Sequence, residues 1–266
     1  MNEVGTHSGP PGETESEKVG SGKASNRTAT LFPLAPITVV IGHYGVGKTN
    51  FSINLALDAA ARGYAVTLMD LDVVNPYFRS SDYRELLEGA GVHVVSPIFA
   101  GTTIDSPSLS GAVYTAIEDA IRQGDDGETC VIIDAGGDDV GATALGRFAP
   151  RIAEGDHEVL YVVNRYRNLT QEPREAAELL GEIEAKAGLS ATGIVNNSHL
   201  KEDTTEEVVV AGTAFANEVS ERLGLPIVCT AVPKRIVDQK NGTFSKNAAI
   251  QNVYPVQVYV RTPWGT

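Results

Sequence analysis

The chain has 266 residues, a formal net charge of −13 at pH 7 and 42% hydrophobic residues. Because this negative charge opposes nonspecific attraction to nucleic acid and to anionic lipid, we expect no nucleic-acid partner. The longest apolar runs are strand-sized and far short of the roughly 18 residues that cross a bilayer, so we expect no membrane insertion.

Residues 1–30 form a polar leader that is rich in Gly, Ser, Thr, Pro and Glu. Such a segment buries too little apolar surface to offset the entropy of ordering it, and we predict that it is disordered. It lacks an apolar stretch after a basic start, and its acidic residues argue against a transit peptide. Residues 31–266 fit one domain of ordinary size.

Two cysteines, Cys130 and Cys229, each lie inside an apolar, strand-like run. This setting favours buried thiols over a disulfide or a redox pair. Together with the absence of a secretory pattern in the leader, it predicts a cytoplasmic protein.

Short β-branched runs alternate with amphipathic stretches from Ile37 onward, and several of the latter end at glycine. The predicted strands lie near residues 37–42, 65–70, 92–96, 129–135, 158–164, 191–197 and 226–232. The predicted helices span about 48–62, 80–90, 108–123, 142–153, 171–187 and 205–223. Period-two alternation over 256–260 predicts an added edge strand.

Near-continuous apolar strands such as 130–133 are typical of burial on both faces of a sheet. The chain is therefore predicted to be an α/β protein, with a doubly wound, mostly parallel sheet and helices on both faces. Ligands of such folds bind at the carboxyl ends of the strands.

Residues 42–49 read Gly-His-Tyr-Gly-Val-Gly-Lys-Thr and connect the first predicted strand to the first predicted helix. They match the phosphate-binding loop G-x-x-x-x-G-K-[ST] in every specified position. In such a loop the backbone amides and the helix dipole hold the phosphates, Lys48 reaches the β and γ oxygens, and Thr49 ligates magnesium. The predicted nucleotide-binding residues are Gly42, His43, Tyr44, Gly45, Val46, Gly47, Lys48, Thr49 and Asn50.

Three carboxylates lie at or just after the ends of predicted strands and should face the phosphates. Asp134, followed by Ala-Gly-Gly, fits the Walker B position that holds the water shell of magnesium. Asp70 and Asp72 lie on the same side of the chain, so one can serve magnesium while Asp72 orients the attacking water. The alternative is a capping Asp and a turn. The segment around Asp138, Asp139 and Gly141 either responds to the γ-phosphate or is an exposed acidic turn.

Four segments together resemble the MinD/ParA branch of P-loop NTPases over nearly all of residues 37–233. They are the phosphate loop, Asp-Leu-Asp at 70–72, Ile-Ile-Asp-Ala-Gly-Gly at 132–137 and Gly-Ile-Val-Asn-Asn at 193–197. The loop, with Asp-Leu-Asp-x-Val-Asn-Pro-Tyr-Phe-Arg and Gly-Gly-Asp-Asp-Val-Gly-Ala, is most similar to a bacterial set of MinD-like ATP-binding proteins.

This resemblance implies magnesium-dependent ATP hydrolysis that switches a protein partner, with a nucleotide-dependent homodimer as one mode of action. It implies that Lys48 and Asp72 serve catalysis and that Thr49, Asp70 and Asp134 lie at the metal. It also implies that Asn197 recognises adenine and that Pro233 borders the base.

Chemistry supports a role of Asn197 at a base, because an amide can both donate to and accept from a purine edge. Turn formation after a strand is the alternative for Asn196 and Asn197. Residues 163–166 lack the Lys and Asp of the guanine motif Asn-Lys-x-Asp, which favours ATP over GTP.

One position departs from the MinD/ParA pattern. His43 occupies the place of a second lysine that reaches across a nucleotide-sandwiched dimer, so the dimer-dependent mechanism is in question. His43 either supplies a charge when protonated or simply packs at the loop. Arg79 and Arg147 are candidates for stabilising the transition state, or else residues of helix faces.

Two rival functions stay open. A biosynthetic ligase or kinase-like enzyme of the dethiobiotin synthetase or CobQ/CobB kind would need cationic substrate anchors, for which Arg79, Arg147 and Lys234 are candidates. A nucleotide-dependent interaction module would hydrolyse little. The remaining histidines, His93, His157 and His199, show no metal-ligand spacing and are interpreted as structural. The absence of a Cys-x-x-Cys pair weakens the analogy with iron–sulfur carriers.

Overall fold

The computed structural model describes residues 34–72, 83–96, 107–123, 128–239, 250 and 252–260. The predicted leader, residues 1–30, and the candidate Arg79 lie outside the described residues. The division of the chain into a leader and one domain therefore stays a prediction.

Eight parallel strands form one sheet in the order β3-β2-β4-β1-β5-β6-β7-β8. The strands are β1 Ile37–Ile41, β2 Ala65–Asp70, β3 His93–Val95, β4 Thr129–Asp134, β5 His157–Val163, β6 Gly193–Asn196, β7 Ile227–Pro233 and β8 Val253–Val256. The helices are α1 Lys48–Ala61, α2 Arg84–Gly89, α3 Pro107–Gln123, α4 Asp139–Gly146, α5 Ala149–Ile152, α6 Pro173–Ala187, α7 Glu206–Leu223 and α8 Lys234–Gln239.

Helices cover both faces of the sheet, because the central strands are apolar on both sides. In β1, Val39 packs into a core that also includes side chains of α3, α5, α6 and α7, whereas Val40 packs with α1 and α2 on the opposite face. The predicted α/β class with a doubly wound sheet is confirmed, and every pairing of the described strands is parallel.

The predicted helix over 142–153 is wrong in its bounds. The structure has two helices there, α4 and α5, and α4 begins earlier because Asp138 caps its first turn by accepting a hydrogen bond from Gly141 N at 2.8 Å. The break follows Gly146, since Pro150 in the first turn of α5 lacks an N–H and its ring excludes the carbonyl four residues earlier.

The predicted edge strand exists, but three residues earlier than expected. β8 pairs with β7 from Thr230↔Val253 to Pro233↔Val256. Residues 257–260, here called the strap, leave the sheet and cross the start of α1, where side chains bind their backbone instead of a neighbouring strand.

Both cysteines are free and buried, as predicted, and burial raises the pKa of the Cys130 thiol to about 12. Within the described part of the chain, no helix combines the length and the apolar character that crossing a bilayer requires.

Candidate nucleotide site

The phosphate loop connects the carboxyl end of β1 to α1, as its sequence predicts. Gly47 caps α1 with φ of 98°, a left-handed conformation that favours glycine. A Cβ atom at Gly47 would also collide with the side-chain amide of Asn197. The loop is therefore packed directly against the end of β6.

Lys48 lies deep in this loop, with only 6% of its surface exposed. Its Nζ donates a hydrogen bond to His43 O at 3.1 Å. Burial lowers the pKa of Lys48, while the nearby carboxylates of Asp134, Asp72 and Asp138 oppose that shift. The ammonium group thus lies near three carboxylates: Asp134 at the end of β4, Asp138 after β4 and Asp72 after β2.

Gly137 brings the segment after β4 against the phosphate loop. A Cβ atom at this position would lie 2.5 Å from Lys48 Nζ and 2.6 Å from Tyr44 N. Only glycine fits between these groups without a shift, so the segment is in direct contact with the phosphate loop.

Asp70 and Asp134 are paired across β2 and β4, and each is 1% exposed. Burial and the negative charge of Asp70 raise the pKa of the Asp134 carboxyl to about 7, against the opposing effects of Lys48 and of a hydrogen bond with the Thr49 side chain. Ser52 Oγ also donates to Asp134 Oδ1 at 3.3 Å. The described residues include no cluster of three His, Cys, Asp or Glu side chains that could hold a metal.

Asp72 and Asp70 have different local roles. Asp72 N donates to Asp70 Oδ1 at 3.0 Å, so the turn after β2 is made by the carboxylate of Asp70. The Asp72 side chain lies in the wall of a pocket that begins at the phosphate loop. The alternative turn before a helix near Ser80 lies outside the described residues, and the role of Asp72 stays a prediction.

Asp138 and Asp139 also have different local roles. Asp138 caps α4, whereas Asp139 is exposed and forms an ion pair with Lys186 on α6. Gly136 and Gly141 pack backbone against backbone, so the segment after β4 is joined closely to the start of α4.

The far end of the pocket is formed by loops after β5 and β6. Asn197 Nδ2 donates to Val46 O at 2.7 Å and bridges to the phosphate loop. Asn196 Oδ1 accepts from Ser198 N at 3.2 Å, which is the turn chemistry that the sequence offered as an alternative. Asn164 also lines the pocket, and its Oδ1 accepts from Tyr166 N.

Side chains of α1 fix the strap beside this end of the pocket. Asn54 Nδ2 donates to Gln257 O at 2.8 Å, and Asn54 Oδ1 accepts from Gln257 N at 2.7 Å. Asn50 Oδ1 accepts from the N–H groups of Tyr259 and Val260. Through these bonds Val258 and Val260 become part of the pocket wall.

The pocket brings together many of the predicted residues: Tyr44, Gly45, Val46, Gly47, Lys48, Thr49, Asn50, Asp72 and Asn197. Gly42, His43, Asp70 and Asp134 lie next to them. The side chain of Asn50 is hydrogen-bonded to the strap, so only the backbone of this residue is left for its predicted role at a nucleotide. Pro233 is buried at the end of β7, pairs with Val256 and is not in the wall.

The candidate cations lie elsewhere. Arg147 is exposed at the end of α4, away from the pocket wall, and Lys234 forms an ion pair with Asp238 on α8. His43 is half-buried, and burial together with the charge of Lys48 lowers its pKa, so the ring is neutral at pH 7. This shift disfavours His43 as a substitute for the missing lysine.

Sequence reasoning missed the wall residues Asn164, Arg167, His199, Lys201, Val258 and Val260. The position of His199, two residues after Asn197 on the loop that follows β6, was a usable signal. The position of the strap in the pocket wall could not be predicted from the local sequence, because Asn54 and Gln257, which are hydrogen-bonded to each other, are separated by 203 residues.

Comparison with known proteins identifies the family. Residues 37–207 match the model of the CobQ/CobB/MinD/ParA nucleotide binding domain. The chain belongs to this family. The match covers the strands β1 to β6 and includes the phosphate loop, Asp72, Asp134 and Asn197. No curated protein matches the sequence significantly.

Two solved structures share the fold of this CobQ/CobB/MinD/ParA domain. One is the 54 kDa protein of the signal recognition particle from Aeropyrum pernix K1 in complex with GDP, with TM-score 0.51, 20% identity, and 79% of this chain and 44% of that chain covered. The other is the signal recognition particle receptor FtsY from Elizabethkingia anophelis in complex with GDP, with TM-score 0.51, 21% identity, and coverage of 80% and 61%. The chain thus spans less than two thirds of either protein.

Proposed function

We propose that the chain is a magnesium-dependent ATPase of the MinD/ParA type that acts as a nucleotide switch on a protein partner. One observation carries this proposal. The segment after β4 touches the phosphate loop at Gly137, beside Lys48 Nζ and Tyr44 N, and continues directly into α4. A group bound at the loop therefore contacts an element that could respond to it.

The side chains at the strand ends suit magnesium and a polyphosphate. The side chain of Thr49 and the carboxylate of Asp134 are hydrogen-bonded to each other, and both offer the oxygen ligands that magnesium prefers. When bound, magnesium neutralises charge on the β- and γ-phosphates. Lys48 adds a second positive charge beside the phosphates. Asp70, paired with Asp134 across β2 and β4, places another carboxylate at the metal.

Asp72 is the residue we assign to the attacking water. It is 7% exposed, lines the pocket and is close enough to Lys48 for its charge to oppose the lowering of the Lys48 pKa. A carboxylate in this position can orient a water molecule and accept its proton during phosphoryl transfer. Lys48 and Asp72 are thus the proposed catalytic pair.

The switch itself would involve α4. Gly136 and Gly141 are packed together, so a shift of the segment at Gly137 is passed to the first turn of the helix. The same turn exposes Val140, with 48% of its surface accessible. We infer that binding and loss of the γ-phosphate bias the position of α4 and of the surface that a partner protein contacts.

Adenine is the base we propose, because Asn197 offers an amide at the pocket wall and residues 163–166 lack the guanine motif. The two free, buried cysteines suit a cytoplasmic protein. The resemblance also implies a nucleotide-dependent homodimer, which a mass measurement with a nonhydrolysable ATP analogue would test.

The biosynthetic alternative receives less support. Of its three candidate anchors for a carboxylate substrate, Arg147 and Lys234 do not line the pocket, and Arg79 lies outside the described residues. Stimulation of phosphate release by small carboxylates would reverse this preference.

The test is steady-state phosphate release from Mg-ATP by the wild type and by Asp72→Ala. We expect the variant to bind ATP as before and to release phosphate about 100-fold more slowly, which is within the usual contribution of a general base. Asp156→Ala is the matched control, since Asp156 is exposed at the opposite end of β5. Equal rates in all three proteins would refute the role of Asp72, and ATP binding without release in the wild type would identify an interaction module.

A further inference from the structure

The loop after β6 carries two side chains that line the pocket and are almost fully buried. Asn197 is 2% exposed and His199 is 6% exposed. Each has one polar atom, Asn197 Oδ1 and His199 Nε2, without a hydrogen-bond partner among the described residues. Buried polar atoms in native proteins are nearly always paired, so these two atoms point to a missing ligand.

The contacts of Asn197 determine which side of its amide faces the ligand. Val46 O can only accept a hydrogen bond, so the atom that contacts it at 2.7 Å must be the NH2 group. The unpaired atom of Asn197 is therefore the carbonyl oxygen, a pure acceptor.

The contacts of His199 determine its tautomer in the same way. Lys201 N donates to His199 Nδ1 at 3.2 Å, so Nδ1 carries no proton. Burial and the neighbouring cations Arg167 and Lys201 lower the pKa of His199 to about 4, and the ring is neutral at pH 7. A neutral ring with an unprotonated Nδ1 has its proton on Nε2, which makes the unpaired atom a donor.

The loop that carries both atoms is held in place from several sides. His199 N donates to Asn197 O at 2.9 Å, and Leu200 N donates to Thr204 Oγ1 at 3.0 Å. Arg235 donates to the carbonyl groups of Lys201, Glu202 and Thr204. The acceptor and the donor are therefore preorganised rather than free to find other partners.

We propose that His199 determines base specificity with Asn197: His199 Nε2–H donates to a ring nitrogen of adenine while Asn197 Oδ1 accepts from its 6-amino group. This inference rests on the proposed binding of ATP and assigns a residue to it. Adenine presents an amino donor next to a ring acceptor, either N7 or N1. Guanine presents the acceptor O6 at the position of that amino group. In the same pose guanine would leave Asn197 Oδ1 facing another oxygen.

The other polar groups at this end of the pocket do not replace this pair. Arg167 Nε is also buried without a hydrogen-bond partner among the described residues, but it can only donate and lies on the loop after β5. Lys201 can only donate as well, and its Nζ already bonds to Val260 O at 3.0 Å. Asn164 Oδ1 accepts from Tyr166 N. Among these groups, only Asn197 and His199 combine a buried unpaired acceptor with a buried unpaired donor on one fixed loop.

The test compares Kd values, measured by calorimetry with magnesium, for ATP, GTP, 7-deaza-ATP and 1-deaza-ATP. His199→Leu removes the donor, and we expect it to weaken ATP about tenfold, the usual effect of one hydrogen bond, while GTP is unchanged. His199→Gln keeps an N–H near the position of Nε2 and should restore most of the affinity. His93→Gln, at an exposed position of β3, is the matched control.

The deaza analogues identify the bond itself. One of them should bind the wild type about tenfold more weakly than ATP does, yet bind His199→Leu as well as ATP does, because the bond is already absent there. Equal losses for ATP and GTP in His199→Leu, or an equal effect of both analogues in wild type and variant, would overturn the proposal.

Inorganic tripolyphosphate with magnesium separates this proposal from the proposed function. If the wild type binds ATP and tripolyphosphate through Lys48 but His199→Leu loses both nucleotides equally, only the inference about the base fails. If the wild type binds neither compound, the proposed function fails and the inference fails with it. Thermal melting of each variant shows whether the loss comes from unfolding.

Discussion

At the scale of single residues, Lys48 shows how burial prepares a binding site. Lys48 is 6% exposed and its Nζ donates to a carbonyl of its own loop. Burial lowers its pKa and thus disfavours the charged form. A phosphate at this position would place negative charge beside the buried ammonium group and so stabilise its charged form. Lys48→Ala should therefore weaken binding of Mg-ATP by about 100-fold, as expected for a charged hydrogen bond.

Calorimetry with Mg-ATP checks this prediction, with far-UV circular dichroism to confirm that the variant is folded. Lys234→Ala is a suitable control, because Lys234 is exposed on α8, pairs with Asp238 and does not line the pocket. Unchanged ATP affinity in a folded Lys48→Ala protein would mean that nucleotide binds elsewhere.

Asp134 gives a prediction about pH. The pKa of its carboxyl is 3.8 in the ordinary case and is raised to about 7 by burial and by Asp70. Between these values the folded protein binds more protons than the unfolded chain, so stability falls as pH rises towards 7. Without magnesium, the Tm of the wild type should drop more between pH 5 and pH 8 than the Tm of Asp134→Asn.

Melting curves in EDTA at several pH values measure this difference. Glu221→Gln should retain the pH slope of the wild type, since Glu221 is an exposed residue of α7. Asp134→Asn should also lose the magnesium dependence of ATP binding. Parallel pH slopes in the wild type and Asp134→Asn would show that the Asp134 carboxyl is already ionised in the folded state.

The roles of single residues could be predicted from the sequence where one short segment contains all the groups that a function needs. The phosphate loop is such a case, because eight consecutive positions determine its geometry. His199 and Arg167 were missed, because what places them in the pocket wall is the folding of loops after β5 and β6. Pro233, which the resemblance implies to border the base, pairs with Val256 in the sheet, and its role at a base stays a prediction.

At the scale of elements, the strap depends on two asparagines of α1. Asn54 makes two hydrogen bonds to the backbone of Gln257, and its amide is mostly buried. Asn54→Ala leaves Gln257 N without its partner, while Gln257 O keeps its bond from Asn50 Nδ2 at 3.1 Å, and the loss should cost about 1–3 kcal/mol of unfolding free energy. Because the strap carries Val258 and Val260 into the pocket wall, ATP affinity should also fall several-fold.

Hydrogen exchange of the amides at residues 257, 259 and 260 is the direct measurement, and it should become faster in Asn54→Ala. Asp58→Asn, one turn further along α1 and exposed, is the control. Unchanged exchange at all three amides would show that Asn54 does not hold the strap.

The approximate positions of the helices and strands could be predicted from the local sequence pattern. Their first and last residues depend in addition on tertiary contacts. The helix predicted over 142–153 is divided because Pro150 cannot continue α4, a rule that the sequence already contained. The shift of β8 from 256–260 to Val253–Val256 could not be predicted, because it follows from bonds between the strap and α1 across more than 200 residues.

At the scale of the whole molecule, the parallel sheet explains why the site is where it is. β2, β4 and β1 are consecutive in the strand order. The phosphate loop, Asp134 and Asp70 therefore meet at the carboxyl ends of these strands, although they are far apart in sequence. β5 and β6 lie on the other side of β1 and supply the far end of the pocket. The apolar runs and the motifs predicted that these groups meet at the carboxyl ends of the strands, whereas the order of the strands was not predicted.

The ends of the chain should contribute very differently to stability. The leader, residues 1–30, has almost no large apolar side chains, so removing it should change Tm by less than about 2 °C and leave ATP affinity intact. Removing residues 253–266 should be severe, because it deletes β8 and the buried side chains of Tyr254, Val256 and Val260. Calorimetric melting of both truncations and the full chain makes the comparison. A loss of more than about 5 °C on removal of the leader would mean that this polar segment packs against the domain.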